Sequence, residues 1–206
     1  MPLTGIILGQ QITQKMALKG QAGSQTVNFA NALGNGIVTS ILATNVYNGV
    51  TTGMGPGMGV GTGKISGLVG FVVGMNIYNM MIAKGFTGSQ QLNTALAIGE
   101  AFAEHVSSLG IVNSTGGPVA LGAPPIFGGK GAITGIIGSL VGQQILTFMS
   151  ASGFTGSQTL NLTMAVGEGI AISMAATFVI TTIVGVPAPP PAGPVPVGGA
   201  EVGKLV

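Results

Sequence analysis

Long apolar stretches separated by short polar turns predict that the chain is built from helices. These stretches run for 17 to 28 residues with few breakers other than glycine, which is longer than ordinary strands. We predict six helices in three consecutive pairs. The first helix of each pair spans Leu3–Lys19, Ile65–Lys84 or Ile133–Ser152, and the second spans Ser24–Tyr47, Ser89–Val112 or Ser157–Val184.

The turn between the two helices of a pair occurs three times. Residues 19–25 read Lys-Gly-Gln-Ala-Gly-Ser-Gln, and the segment recurs at 84–90 as Lys-Gly-Phe-Thr-Gly-Ser-Gln and at 152–158 as Ser-Gly-Phe-Thr-Gly-Ser-Gln. The copies lie 65 and 68 residues apart. A period of this kind indicates one supersecondary unit, here an αα-hairpin, in which each copy buries its apolar face on its neighbours.

The predicted fold class is all-α, with three repeated αα-hairpins joined by extended arms that are rich in Gly and Pro. The predicted division is hairpin 1 at 1–49, an arm at 50–64, hairpin 2 at 65–112, an arm at 113–132, hairpin 3 at 133–184 and a Pro-rich tail at 185–206. The tail is expected to be extended polyproline II. Because the arms carry apolar side chains rather than Ser and Glu, we expect them to pack on other subunits instead of acting as flexible linkers.

Glycines recur four residues apart at the same place in every first helix, as Gly5 and Gly9, Gly70 and Gly74, and Gly138 and Gly142. A spacing of four places both glycines on one helix face, where a second backbone can approach closely. Glycine in a helix interior costs about 1 kcal/mol relative to alanine. Three aligned pairs therefore predict close helix packing within each hairpin.

Polar residues recur at matched positions of the second helices. One matched set is Asn28, Asn93 and Asn161, and another is Asn35, Glu100 and Glu168. A buried, unpaired carboxylate would neutralise by raising its pKa. We therefore interpret the two glutamates as buried carboxyls that hydrogen-bond amides on neighbouring helices, with Asn35 as their uncharged equivalent.

An alternative interpretation of these carboxylates comes from the segments Gly70–Glu100 and Gly138–Glu168. Each has a glycine-rich first helix, a polar turn and a glutamate midway along an apolar second helix, and this arrangement resembles the proteolipid rotor subunits of rotary ATPases. The resemblance implies a membrane-embedded ring whose carboxylates carry the ion. The alternative function is therefore a membrane-embedded helical-hairpin oligomer, proteolipid-like or a channel, with Glu100 and Glu168 as ion-binding carboxylates.

Charged residues make up 5% of the chain, against roughly 25% in an ordinary soluble domain. With so few charges, most of the surface is expected to face other protein or lipid. The chain has no arginine to grip phosphate, so nucleic acid is not an expected partner. One histidine, no cysteine and no aspartate provide neither a zinc site nor a catalytic triad. We expect no enzymatic activity, no cofactor and no metal.

These observations favour a non-enzymatic structural subunit buried in a large multi-subunit assembly. The leading candidate is a virion component, such as a phage tail, baseplate or capsid protein. The expected partners are other protein subunits, including copies of this chain, with a membrane as the alternative. The N-terminus lacks the basic segment of a secretory signal, so we expect synthesis in a cytoplasm and residence in the virion or another large assembly.

Overall fold

The computed structural model describes residues 3–44, 46–53, 58–118, 126–184 and 197–205, and over these ranges the chain forms six helices and six strands. The helices are α1 (Gly5–Leu18), α2 (Ser24–Thr44), α3 (Gly70–Ala83), α4 (Gln90–Leu109), α5 (Gly138–Ala151) and α6 (Ser157–Ala175). The strands are β1 (Val46–Gly53), β2 (Met58–Ser66), β3 (Ile111–Pro118), β4 (Ile126–Thr134), β5 (Phe178–Val184) and β6 (Val197–Leu205).

The helices close into a ring. Helix α1 packs on α2, α3 on α4 and α5 on α6, while α2 also contacts α3, α4 contacts α5, and α6 returns to α1. Fully buried side chains from all six of these helices form one apolar core, including Ile12, Ile37, Ile77, Phe102, Ile145 and Ile170. The same core continues into the neighbouring strands through Ile65, Val112, Ile133 and Val179.

Each hairpin turn ends its first helix with a glycine cap. The N–H of Gln21 donates to the carbonyl of Met16 at 2.9 Å, and the N–H of Gly20 donates to that of Ala17 at 3.0 Å. This pair of bonds is the Schellman motif, which requires a left-handed residue after the helix. Gly20, Gly85 and Gly153 supply that conformation with φ of 77°, 81° and 87°. The repeated Gly of the turn is therefore a backbone requirement.

The two connections between hairpins, together with the segment after α6, form a closed antiparallel barrel in the order β1-β2-β3-β4-β5-β6. Strand β1 pairs with β2 and also with β6, with Tyr47 opposite Ile65 on one side and opposite Gly203 on the other. The barrel follows the helix ring directly, since β1, β3 and β5 begin within three residues of the ends of α2, α4 and α6.

The barrel corrects the prediction that 50–64, 113–132 and 185–206 are arms docked on other subunits. In their described parts these segments pair with each other within the chain, where the ladder satisfies the N–H and C=O groups of glycine-rich backbone. The alternation of Val and Thr with Gly in segments such as Val60–Gly63 indicates a strand, and the prediction did not use this pattern. Most of the tail predicted to be polyproline II falls at 185–196, outside the described residues.

The all-α prediction is thus confirmed only in its coarse form, because helix is the main element of the described residues but shares them with a barrel. Five predicted helix boundaries were wrong for the same reason, because residues predicted to be helical belong to strands: 46–47 to β1, 65–66 to β2, 111–112 to β3, 133–134 to β4 and 178–184 to β5. Within the described ranges, none of the helices combines the length and the apolar character needed to cross a membrane.

Candidate functional site

Glycines bring the two helices of each hairpin into backbone contact. A Cβ added at Gly99 would overlap the backbone of Gly74 and lie 2.6 Å from the carbonyl oxygen of Gly70. Gly34 and Gly167 face the matching glycines of α1 and α5 in the same way. The glycines singled out from the sequence lie at these crossings, where an added Cβ would come 2.6–2.9 Å from a Cα of the second helix: Gly5, Gly9, Gly70, Gly74, Gly138 and Gly142.

A second small residue on each second helix faces the next hairpin. A Cβ at Gly36 would lie 2.5 Å from the Cα of Ile77, and one at Gly169 would lie 2.8 Å from the Cα of Ile12. Ala101 holds the matching position of α4. Each second helix therefore carries a small–polar–small triplet, in which one small residue contacts its own hairpin and the other contacts the neighbour. The second small residue, at 36, 101 and 169, was not identified from the sequence.

The polar residue of each triplet lies across from the first glycine of its hairpin. Cα atoms of Asn35, Glu100 and Glu168 are the nearest second-helix Cα atoms to an added Cβ at Gly5, Gly70 and Gly138. In the other matched set, Asn28 and Asn161 are half-buried and Asn93 is exposed.

Glu168 forms an ion-pair cluster between α6 and α1. Its carboxylate oxygens lie 3.3 Å from Nζ of Lys15 and 3.1 Å from Nζ of Lys19. Partial burial raises the pKa of Glu168, but hydrogen bonds and attraction from Lys19 and Lys15 outweigh it and hold the pKa below its ordinary value. The cluster stabilises the contact through which the helix ring closes, between the third hairpin and the first.

The two glutamates are therefore not the buried, amide-bonded carboxyls that we predicted. Glu168 is partly exposed and its partners are lysines, while Glu100 is exposed on the surface of α4. The prediction was wrong because it took an apolar helix to be buried on all sides. The small residues on either side of each glutamate face the adjacent helices, which turns the glutamate outward.

A partly buried polar contact joins neighbouring hairpins. Asn76 of α3 donates its amide N–H to Ser40 Oγ of α2 at 2.8 Å. His105 takes the place of Ser40 in α4 and hydrogen-bonds Gln144, the α5 counterpart of Asn76. Ser173 holds the matching position in α6, and its buried Oγ has no hydrogen-bond partner among the described residues. The matched spacing of 40, 105 and 173 could have identified this set from the sequence.

Buried His105 is expected to make folding stability depend on pH. Burial lowers its pKa, against the raising effects of the Gln144 hydrogen bond and the Glu104 charge. A folded-state pKa below the unfolded value of 6.5 means that the unfolded chain binds the proton more readily, so stability is lost as pH falls below about 6.5. The loss is limited to about 1.4 kcal/mol per pH unit.

The measurement for His105 is the urea midpoint of unfolding at pH values between 7.5 and 5.5. The chain has a single histidine, so His105→Gln should flatten this profile while keeping a hydrogen-bonding side chain. Glu104→Gln is the matched control, and it should shift the profile without abolishing it. An unchanged slope in the His105→Gln variant would contradict the assignment.

Large apolar side chains are exposed around the junction of the helix ring and the barrel. The first helices begin and the second helices end at this junction, since the strands connect directly to those ends. We define the equatorial belt as the exposed apolar residues at these ends: Ile6, Leu42, Val69, Phe71, Val72, Leu109, Ile111, Ile137, Leu140 and Ile172. The exposed fraction reaches 65% for Ile6 and 59% for Phe71.

An open groove of about 420 Å³ interrupts the belt between the second and third hairpins. Most of its lining belongs to α3 and α4, and Phe148 of α5 contributes from the neighbouring hairpin. It is lined by Leu68, Gly70, Phe71, Glu100, Ala103, Glu104, Ser107 and Phe148. Glu100 and Glu104 lie one helical turn apart and make no ion pair with any described residue.

The described residues contain no group of three or more His, Asp or Glu side chains placed to hold a metal ion together. No family model matches this chain, and neither the curated proteins nor the solved structures provide a significant match.

Proposed function

We propose that the chain is a non-enzymatic structural subunit of a large multi-subunit assembly, built from three copies of one helix–helix–strand–strand unit. A virion is the setting we propose, with the chain in the tail, baseplate or capsid. The observation that carries the proposal is the equatorial belt on a chain with 5% charged residues. Exposed apolar side chains that cluster on a surface mark contacts with other proteins.

The closed architecture indicates how such contacts would form. Both the barrel and the helix ring return to their starting element within the described residues, so the barrel offers no free strand edge for a partner to extend. Association through the belt side chains remains available. This mode buries apolar area, worth roughly 25 cal/mol per Å².

The closed ring of three helix pairs supports a position of the chain on or near a symmetry axis of the assembly. Matched glycine contacts at Gly34, Gly99 and Gly167, and matched core residues at Ile12, Ile77 and Ile145, relate the units to each other. A single chain with three similar faces can contact three identical partner subunits in similar ways. Symmetric particles present such sets of identical surfaces.

Replacing part of the belt is expected to release the chain from its assembly. One variant carries three substitutions together: Val69→Ser, Phe71→Ser and Leu140→Ser. It removes three exposed apolar side chains and leaves the buried core residues unchanged. The expected loss is about 2 kcal/mol, or about thirtyfold weaker association, from partial burial of each side chain. The measurement is the fraction of full-length chain that co-sediments with particles in a lysate of its native host.

A matched control carries Leu18→Ser, Ile82→Ser and Leu160→Ser. These residues are comparably exposed but lie at the hairpin-turn end of the helices. This control should remain with the particle, and the particle should contain nuclease-protected nucleic acid if it is a virion.

Equal behaviour of the two variants, or a wild-type chain that sediments as a monomer, would contradict the proposal. Retention in membranes after carbonate extraction would favour the proteolipid-like alternative.

A further inference from the structure

The groove between the second and third hairpins has a counterpart in this chain that already holds a cation. Glu100 lies across from Gly70, and Glu168 lies across from Gly138 in the same relation. At Glu168 the site is filled by the ammonium groups of Lys15 and Lys19 from the neighbouring hairpin. At one of the two repeated carboxylate positions, basic side chains of the adjacent hairpin therefore dock on the carboxylate.

At Glu100 the neighbouring hairpin supplies no such cation. Helix α5 is aligned with α1 by matching Gly138 to Gly5. In this alignment Phe148 corresponds to Lys15, and Ser152 corresponds to Lys19. Glu104, one turn further along α4, adds a second carboxylate to the same groove. Two exposed carboxylates therefore face a groove in which they form no ion pair with any described residue.

We propose that this groove binds an arginine side chain of a different protein in the assembly. The inference rests on the proposed structural role, because it names the chemistry of the partner that contacts the belt. Phe71 is both a belt residue and a wall of the groove, so the arginine would lie within the same interface.

Arginine fits the groove for two reasons. Its guanidinium can donate hydrogen bonds to both carboxylates, and its flat face can stack on the phenyl rings of Phe71 and Phe148. Lysine lacks the planar group and is more strongly hydrated. This chain contains no arginine, so the partner is another protein rather than a second copy. A metal ion is a poorer occupant, since the groove provides only two carboxylates.

The experiment titrates the purified full-length chain with the peptide N-acetyl-Val-Arg-Val-amide and follows side-chain NMR signals of Glu100, Glu104, Phe71 and Phe148. Saturable shifts confined to the groove are expected. The same peptide with citrulline, which keeps the shape and removes the charge, should bind at least about tenfold more weakly. A peptide with lysine should fall between the two. Equal binding of the arginine and citrulline peptides would overturn the proposal.

Substitution provides an independent test. The double variant Glu100→Gln and Glu104→Gln should lose the arginine-dependent shifts, and Glu168→Gln, the matched control, should keep them because its site is already filled by lysines. Lysine binding as tight as arginine binding would indicate docking of a second copy instead. Suppose that the belt variant leaves the particle, that the double Gln variant remains and that the arginine peptide does not bind. The structural role then stands, and the arginine site is wrong. If neither variant leaves, the structural role is also wrong.

Discussion

Replacing Gly99 by valine is expected to destabilise the helix ring strongly. An added side chain there would meet the backbone of Gly74 and of Gly70, which cannot rotate away as a flexible side chain would. Overpacking a core ordinarily costs about 1–3 kcal/mol, and contact with backbone on a neighbouring helix places Gly99→Val at or above the upper end. Valine is a slightly better helix former than glycine. Any loss of stability therefore reports packing rather than helix propensity.

The measurement for Gly99 is the free energy of unfolding from urea titration followed by circular dichroism. Ala83→Val, at an exposed position of α3, is the control and should change stability by less than about 0.7 kcal/mol. Gly99→Ala should fall between the two, because its single methyl group meets the same backbone atoms. A Gly99→Val variant as stable as the wild type would mean that the two helices are not in contact at this point.

The helices could be predicted from the sequence because their determinants are local. The glycine cap at Gly20, Gly85 and Gly153 depends on neighbouring residues and recurs in every turn. The paired glycines of the first helices likewise indicate close packing from spacing alone. Local signals of this kind predicted the helices to within a few residues at the turn ends.

The barrel could not be predicted by the same reasoning, because its pairings are non-local. Strand β6 pairs with β1, so Gly203 lies opposite Tyr47 although the two are far apart in the sequence. Glycine-rich segments with interspersed prolines are typical of linkers, and the alternating Val and Thr residues between the glycines carry a weak signal. The barrel closes only when all of the strands pair, and the sequence of a single segment does not indicate its pairing partners.

The groove was missed for a related reason. Glu100 was recognised from its match with Glu168, but the difference between the two sites depends on the neighbouring hairpin. Lys15 and Lys19 reach Glu168 from α1, whereas Phe148 occupies the corresponding place beside Glu100. The sequence contains each of these residues, but their relation follows only from the order of hairpins around the ring.

Removing Val197–Val206 is expected to open the barrel and abolish cooperative unfolding. Strand β6 pairs with β1 from Tyr47–Gly203 to Gly53–Val197, and with β5 from Val179–Leu205 to Val184–Ala200. Without it, β1 and β5 become free edges with unpaired N–H and C=O groups, which promote association between chains. Each lost backbone hydrogen bond costs roughly 0.5–1.5 kcal/mol net. Loss of two ladders is therefore comparable with the whole stability of an ordinary domain, about 5–15 kcal/mol.

The measurements for this truncation are the thermal melting curve and the molar mass in solution. Deleting only Val206, which follows the last residue of β6 in the sequence, is the control and should leave both unchanged. Ala200→Pro is a milder variant that removes one N–H in a strand paired on both sides, and it should lower the melting temperature without full loss of the fold. A docking arm would behave differently, because its removal would release the chain from a particle and leave the isolated chain as stable as before. A truncated chain that is monomeric and melts like the wild type would therefore contradict closure of the barrel by β6.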